Sequence, residues 1–217
     1  MRKITFFTQT EKNVLQLLNT NGKNLVGKRS LSSPRAVGDA VQQFLSEDGG
    51  LKECIPQDRL NSFEADFERR SMEDMAFCDI DNNYYAVDCK THNLSTAFNM
   101  PNLISVRRLA NFYKNDANTF CILIVAYSIE EGRIDYKECH FKPIEALSWD
   151  CLTIGALGWG QIQIANSNIL KFSTKPNRKE WMLQLCSYLE LFYDEEISKI
   201  GERKNWFHDI KEYWKNK

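Results

Sequence analysis

Asp74, Asp88 and Lys90 are residues that could do chemistry together. Strand side chains alternate in direction, so Asp88 and Lys90 point to one face, and Val87 and Cys89 to the other. Asp74 stands at the head of the preceding apolar run. Folding Met75–Ile80 back on Tyr84–Lys90 about Asn82, or the bond after it, brings Asp74 opposite Lys90 or Thr91. Two carboxylates and an ammonium then meet at one end of a sheet. Two carboxylates can hold Mg²⁺ and leave most of its shell to water and a phosphate oxygen. The backbone carbonyl of Cys89 offers a further ligand. A lysine there can orient an attacking water and offset charge growing on a phosphate. The chemistry that fits is metal-assisted hydrolysis of a phosphodiester.

The spacing alone is common. Acid-x-Lys occurs at Asp88–Lys90, Asp135–Lys137, Glu202–Lys204 and Asp209–Lys211. The last two lie in a helical pattern. Asp135–Lys137 is strand-like, but only Asp116 lies near the start of the apolar strand before it. Asp88–Lys90 has a partner acid one hairpin away. Its competing reading is a surface ion pair.

The surrounding elements follow from periodicity and turn signals. Thr8-Gln9-Thr10-Glu11 resembles a capping box ahead of a helix bearing Val14, Leu15, Leu17 and Leu18, stopped near Gly22. Pro34 opens a second helix with Val37, Val41, Phe44 and Leu45 on one face. A short helix is expected around Ser62–Arg69. Pro101 is expected to start another, with Leu103, Val106, Leu109, Ala110 and Tyr113 inward. Phe120–Tyr127, Arg133–Phe141 and Trp159–Ala165 read as strands. One helix is expected from near Asn177 and a second after Gly201, together covering about 177–215. The pattern is α/β (α+β): a central mixed β-sheet flanked by helices, in one domain with its core at about 34–165.

No run of apolar residues is long enough for a membrane span. The start, Met1-Arg-Lys-Ile-Thr, lacks the apolar stretch of a signal peptide, so a bacterial cytoplasmic location is expected. Seven cysteines, none in a C-x-x-C pair, are expected as reduced thiols, and three scattered histidines make no metal cluster. Net charge is only −1, but its distribution is uneven. Residues 13–38, 89–115 and 151–179 contain no acid and carry twelve Lys and Arg residues, Lys28 and Arg35 among them. If they fold to one side they make a face for a polyanion; taken singly, each is an ordinary solvated run.

Asp74-Met-Ala-Phe-Cys…Tyr84-Tyr-Ala-Val-Asp88-Cys-Lys90-Thr91 resembles the PD-(D/E)xK nuclease motif. Its continuation, His92-Asn93-Leu94-Ser95…Pro101-Asn102-Leu103-Ile104-Ser105, resembles the HincII-type restriction endonucleases, relatives of EcoRV. Weaker echoes flank it at Leu25-Val26-Gly27-Lys28, Gly38-Asp39, Gln161-Ile162-Gln163 and Arg178-Lys179-Glu180-Trp181. The likeness spans roughly residues 24–185. It implies a restriction-endonuclease-like fold and a type II hydrolase with catalytic Asp74, Asp88 and Lys90. It implies Mg²⁺ held by Asp74, Asp88 and the Cys89 carbonyl. It also implies a homodimer cutting both strands of double-stranded DNA within a short palindrome, leaving blunt ends. A cognate DNA methyltransferase would complete the restriction-modification system. Asp39 stands where relatives often place a glutamate and is the possible auxiliary acid. The hairpin between Asp74 and Asp88 is one residue longer than in relatives.

DNA contacts are expected from Thr91, His92, Asn93, Ser95, Phe98, Asn99 and Asn102, directly after the catalytic strand, and from Arg107. Phe98 either wedges at a base step or packs. Gln161 and Gln163 share a strand face; glutamine can bond adenine in the major groove, or these two are simply solvated. Lys28 and Arg35 touch backbone or sit in solvent. Two alternatives remain open: a monomeric repair or nicking nuclease of the same fold, and an inactive DNA-binding module.

Overall fold

The computed structural model describes residues 2–68, 71–175 and 177–217, with side chains from residue 6 onward. It is a mixed α/β structure with two sheets and five α-helices among the described residues. The chain begins with α1 (Arg2–Asn21), α2 (Pro34–Ser46) and a single turn, α3 (Leu51–Cys54). Strands β1 (Leu60–Glu64), β2 (Met75–Asp79) and β3 (Tyr84–Asn93) follow, then β4 (Asn102–Ser105) and α4 (Val106–Phe112). The long hairpin β5 (Asn118–Glu130) and β6 (Arg133–Pro143) comes next, then β7 (Leu152–Gly155), β8 (Gln161–Ile164) and α5 (Arg178–Lys215).

The central sheet runs β1-β2-β3-β5-β6, with β3 and β5 parallel and the other pairs antiparallel. Alternation in β3 and β5 divides the core in two. Val87, Cys89, Leu123 and Val125 face α1, α2 and α3, where Val14, Leu18, Val41 and Leu45 are fully buried. Ala86, Phe120, Ile122 and Ile124 face the other side, against α4, the small β4-β8-β7 sheet and the first turns of α5. A parallel pair needs a crossover, and here it carries β4 and α4.

Several elements differ from the sequence reading. α1 starts well before Thr8, so no capping box forms there. Thr10 is buried, its hydroxyl donating to the Phe6 carbonyl, while Glu11 accepts from the Phe141 amide at 2.9 Å and pairs with Lys142. The helix expected around Ser62–Arg69 is replaced at Ser62–Glu64 by edge strand β1; Arg69 itself lies outside the described residues. Pro101 does not start a helix. Residues 102–105 pair with β8, and the helix begins at Val106. The two C-terminal helices are one: Gly201 lies inside α5, where an added Cβ would meet nothing. α2 starts as expected, with Pro34 in its first turn and the Ser33 side chain accepting from the Ala36 amide. The seven cysteines are free thiols. No described helix is long and apolar enough to cross a membrane.

Candidate active site

The hairpin that aligns the site is closed by a side chain. Buried Asp79 accepts from the amides of Asp81 and Asn83, from the Asn83 side chain and from the Tyr85 hydroxyl. Asn82 adopts a φ of 59° at the tip, which asparagine tolerates. This closure centres the hairpin on Asp81. Met75 therefore pairs with Val87, and Asp74 falls beside Asp88, two to three positions from the expected Lys90 or Thr91.

That register builds a tight cluster. The Asp74 amide donates to the Val87 carbonyl at 2.9 Å. One Asp74 carboxylate oxygen accepts from the Cys89 amide at 2.7 Å; the other accepts from the Gln42 side chain at 2.9 Å. The Lys90 ammonium lies 2.5 Å from Asp88 Oδ1 and 3.4 Å from the Cys89 carbonyl. Asp88 Oδ2 is buried with no hydrogen-bond partner.

The electrostatics follow from burial. Desolvation pushes the Asp88 carboxyl up to about 7; Asp74 reinforces this and Lys90 opposes it. Burial pulls the Lys90 ammonium down, but Asp88 and Asp74 outweigh it, leaving the lysine above its usual range. An unsatisfied carboxylate oxygen in a buried site is costly, and a cation would satisfy it. The ammonium already bridges Asp88 and the Cys89 carbonyl, so it marks where positive charge is accepted. The donors are all oxygens, which suits a hard cation such as Mg²⁺. No group of three or more His, Cys, Asp or Glu side chains placed to hold a metal occurs among the described residues. Two carboxylates and a carbonyl suffice for Mg²⁺, which keeps several waters.

Asp74 opens onto a cleft of about 460 Å³ that Asp39, Gln42, Glu68 and Glu73 also line. Asp39 is thus on the wall of the same cleft, exposed and 3.8 Å from Arg35. Gln42 was not singled out in the sequence. It sits three residues after Asp39, on the flank of the stripe formed by Val37, Val41 and Leu45, and helical spacing carried that signal.

The rival pair, Asp135 and Lys137, is a solvated ion cluster with Glu130 and Lys23 at the far end of β5 and β6.

The expected DNA contacts divide. Thr91 packs against α2, where a Cβ on Gly38 would lie 3.1 Å from its hydroxyl. His92 is enclosed, its Nε2 2.8 Å from Asn168 Oδ1, which places it behind the loop rather than on its surface. Asn93 accepts from the Ser95 amide, closing a local turn. Ser95 and Phe98 are exposed, Phe98 at 60%, which removes the packed alternative for that ring. The Asn99 carbonyl accepts from the Ser167 amide. Asn168, unremarked in the sequence, donates to the Thr96 and Ala97 carbonyls and so ties this loop to the segment after β8.

Gln163 donates to the Asn102 side chain at 2.5 Å, and a Cβ on Gly155 would collide with its amide. The Gln161 carbonyl oxygen faces the amides of Ile104 and Ser105 once its amide is turned accordingly. Both glutamines are therefore engaged within the small sheet rather than freely solvated. Arg107 stacks over Trp159 at 4.8 Å. Lys28 and Arg35 are exposed. Arg178, from the third acid-free stretch, is half-buried and engaged: it pairs with Glu145 and stacks on Tyr113.

Comparison with protein-family models finds none that matches this chain, and comparison with curated proteins finds no similar sequence.

Proposed function

We propose that the chain is a Mg²⁺-dependent endonuclease of the type II restriction kind, hydrolysing both strands of DNA at a short palindrome as a homodimer. The observation that carries this reading is the convergence of Asp74, Asp88 and Lys90 where β2 begins beside the middle of β3, with the orphaned Asp88 Oδ2 and the Cys89 carbonyl beside the ammonium. The PD-(D/E)xK resemblance adds the substrate class, the blunt ends and a cognate methyltransferase.

In this reading Asp74, Asp88 and the Cys89 carbonyl hold the ion. Bound Mg²⁺ supplies Lewis acidity, placing positive charge beside the scissile phosphate and lowering the pKa of adjacent water. Gln42 and the Cys89 amide fix the Asp74 carboxylate in its rotamer, as outer-shell partners do for metal ligands. Beside such an ion, Lys90 would orient the attacking water and offset charge on the phosphate. In this reading Asp39, on the wall of the cleft that Asp74 lines, is the auxiliary acid. Asn168 and Asn93 shape the loop that presents Ser95, Phe98 and Asn99, and Gln163 holds Asn102.

The test is supercoiled plasmid with Mg²⁺ or EDTA, using wild type, Asp88→Ala and Lys90→Ala proteins checked for folding. Metal-dependent linear product from wild type alone is expected. Nicked circles only would favour the monomeric nicking reading. Equal cutting by Lys90→Ala would sink the site.

A further inference from the structure

A second cavity, of about 290 Å³, lies between the central sheet and the segment that follows β8. His92, Ala126 and Glu138 stand in register across β3, β5 and β6, with Ile124 and His140 in a neighbouring row. All five share one sheet face, because alternate strand residues point the same way. The volume sits at the small end of ligand pockets, which run from about 300 to 1,000 Å³.

The lining says what fits. Half of it is apolar: Leu94, Ile124, Ala126, Leu170 and Phe172. The Phe172 ring lies 4.9 Å from the His140 ring, so a flat ligand finds aromatic surface. The polar half is rich in acceptors. Asn168 donates through its amide nitrogen to the Thr96 and Ala97 carbonyls, so its Oδ1 accepts from His92 Nε2, at 2.8 Å. With the proton on Nε2, Nδ1 of a neutral His92 is an acceptor, and it is buried without a partner. His92 and Ser167 are only 3% and 6% exposed. The Glu138 carboxylate stands at the rim, 61% exposed, with His140 Nε2 3.3 Å from its Oε2.

Among the described residues no Lys or Arg lines the cavity, and Lys142, 5.7 Å from the Phe172 ring, is held by Glu11 at 2.8 Å. An anion therefore finds no cation here, and His92, Glu138 and His140 are not placed to share a metal ion. A guanidinium would leave the apolar half uncovered. A flat, nitrogen-rich ring with N–H donors along one edge answers both halves. Guanine carries two adjacent donors, its ring N–H and its amino group, and two parallel N–H groups match the two oxygens of a carboxylate. We propose that this cavity is a binding site for free guanine or guanosine, stacked on Phe172 with its donor edge on Glu138. Asn168 belongs both to the cavity wall and to the bonds on Thr96 and Ala97, so occupancy reaches the loop after β3. The inference stands on the cavity and does not depend on the cutting of DNA.

The experiment is calorimetric titration of the full chain with guanosine, with circular dichroism as the folding control. Saturable one-to-one binding is expected, and inosine, which lacks the amino group, should bind about tenfold more weakly. Glu138→Gln and Phe172→Leu should each weaken guanosine about tenfold with the fold retained. Guanosine should also slow amide exchange at 94–97 and 167–172. A guanine-containing single strand should be insensitive to Glu138→Gln, because no cation lines the cavity to meet its phosphates. A strand weakened more than guanosine by that substitution would show that the cavity serves strands, and the proposal would fall. No guanosine binding, equal binding of uridine or arginine, binding unmoved by both substitutions, or protection confined to other segments would also overturn it.

Discussion

At the residue scale, the site rests on how three charged groups meet where β2 begins beside the middle of β3. Asp74 is held by two donors, Asp88 keeps one oxygen without a partner, and Lys90 leans on Asp88. Asp88→Asn keeps the shape and removes the charge, so DNA cleavage should fall by at least about 10³-fold with the fold retained. Gln42→Ala removes only a support for Asp74. It should lower Mg²⁺ affinity roughly tenfold, read as a shift in the Mg²⁺ dependence of the cleavage rate, with a smaller effect at saturating metal. The shared face of Asp88 and Lys90 was legible from strand alternation. The exact partner of Asp74 was not, because the turn centre depends on the Asp79 side chain gathering donors from Asp81, Asn83 and Tyr85. Gln42 was hidden because its role appears only when α2 packs on β3.

At the element scale, that same Asp79 makes the hairpin a measurable unit. Burial raises its pKa, but the bonds from Asn83, Tyr85 and Asp81 outweigh burial and hold it below the usual carboxylate range. A lowered folded-state pKa stabilises the fold above the unfolded value of about 3.9 and loses that contribution as pH falls through the folded value. Asp79→Ala should therefore cost about 2–3 kcal/mol at pH 7, and the gap from wild type should narrow below about pH 4 in denaturant titrations. Asn168→Ala should leave the sheets intact and speed amide exchange across 94–100, since its two bonds to Thr96 and Ala97 go. Helix and strand identity was legible where the apolar period was long, as in β5 and α2. It failed at 102–105, where pairing with β8 overrode the start signal of Pro101, and at Gly201, where a glycine costing about 1 kcal/mol did not break a 38-residue helix.

At the scale of the whole molecule, a net charge of −1 hides an uneven surface. The stretches 89–115 and 151–179 meet through the β4–β8 pairing and the Asn168 bonds, while Arg178 is tied up by Glu145. If DNA lies across this face, binding measured with Ca²⁺ should weaken roughly 10³-fold between 50 and 200 mM salt, as expected for several phosphate contacts. Binding indifferent to salt would count against it. Fold class was readable from sequence because the alternation of apolar runs needs no tertiary knowledge. The reach of α5 was not, because it depends on where the body of the protein stops. The most direct test of the nuclease account is a digest of unmodified phage DNA by the purified chain, with Mg²⁺ and with EDTA, followed by sequencing of the ends. The account predicts discrete, metal-dependent fragments whose ends share one short palindrome. DNA from phages that carry many different short palindromes, left intact by folded protein in Mg²⁺ and Mn²⁺, would contradict it.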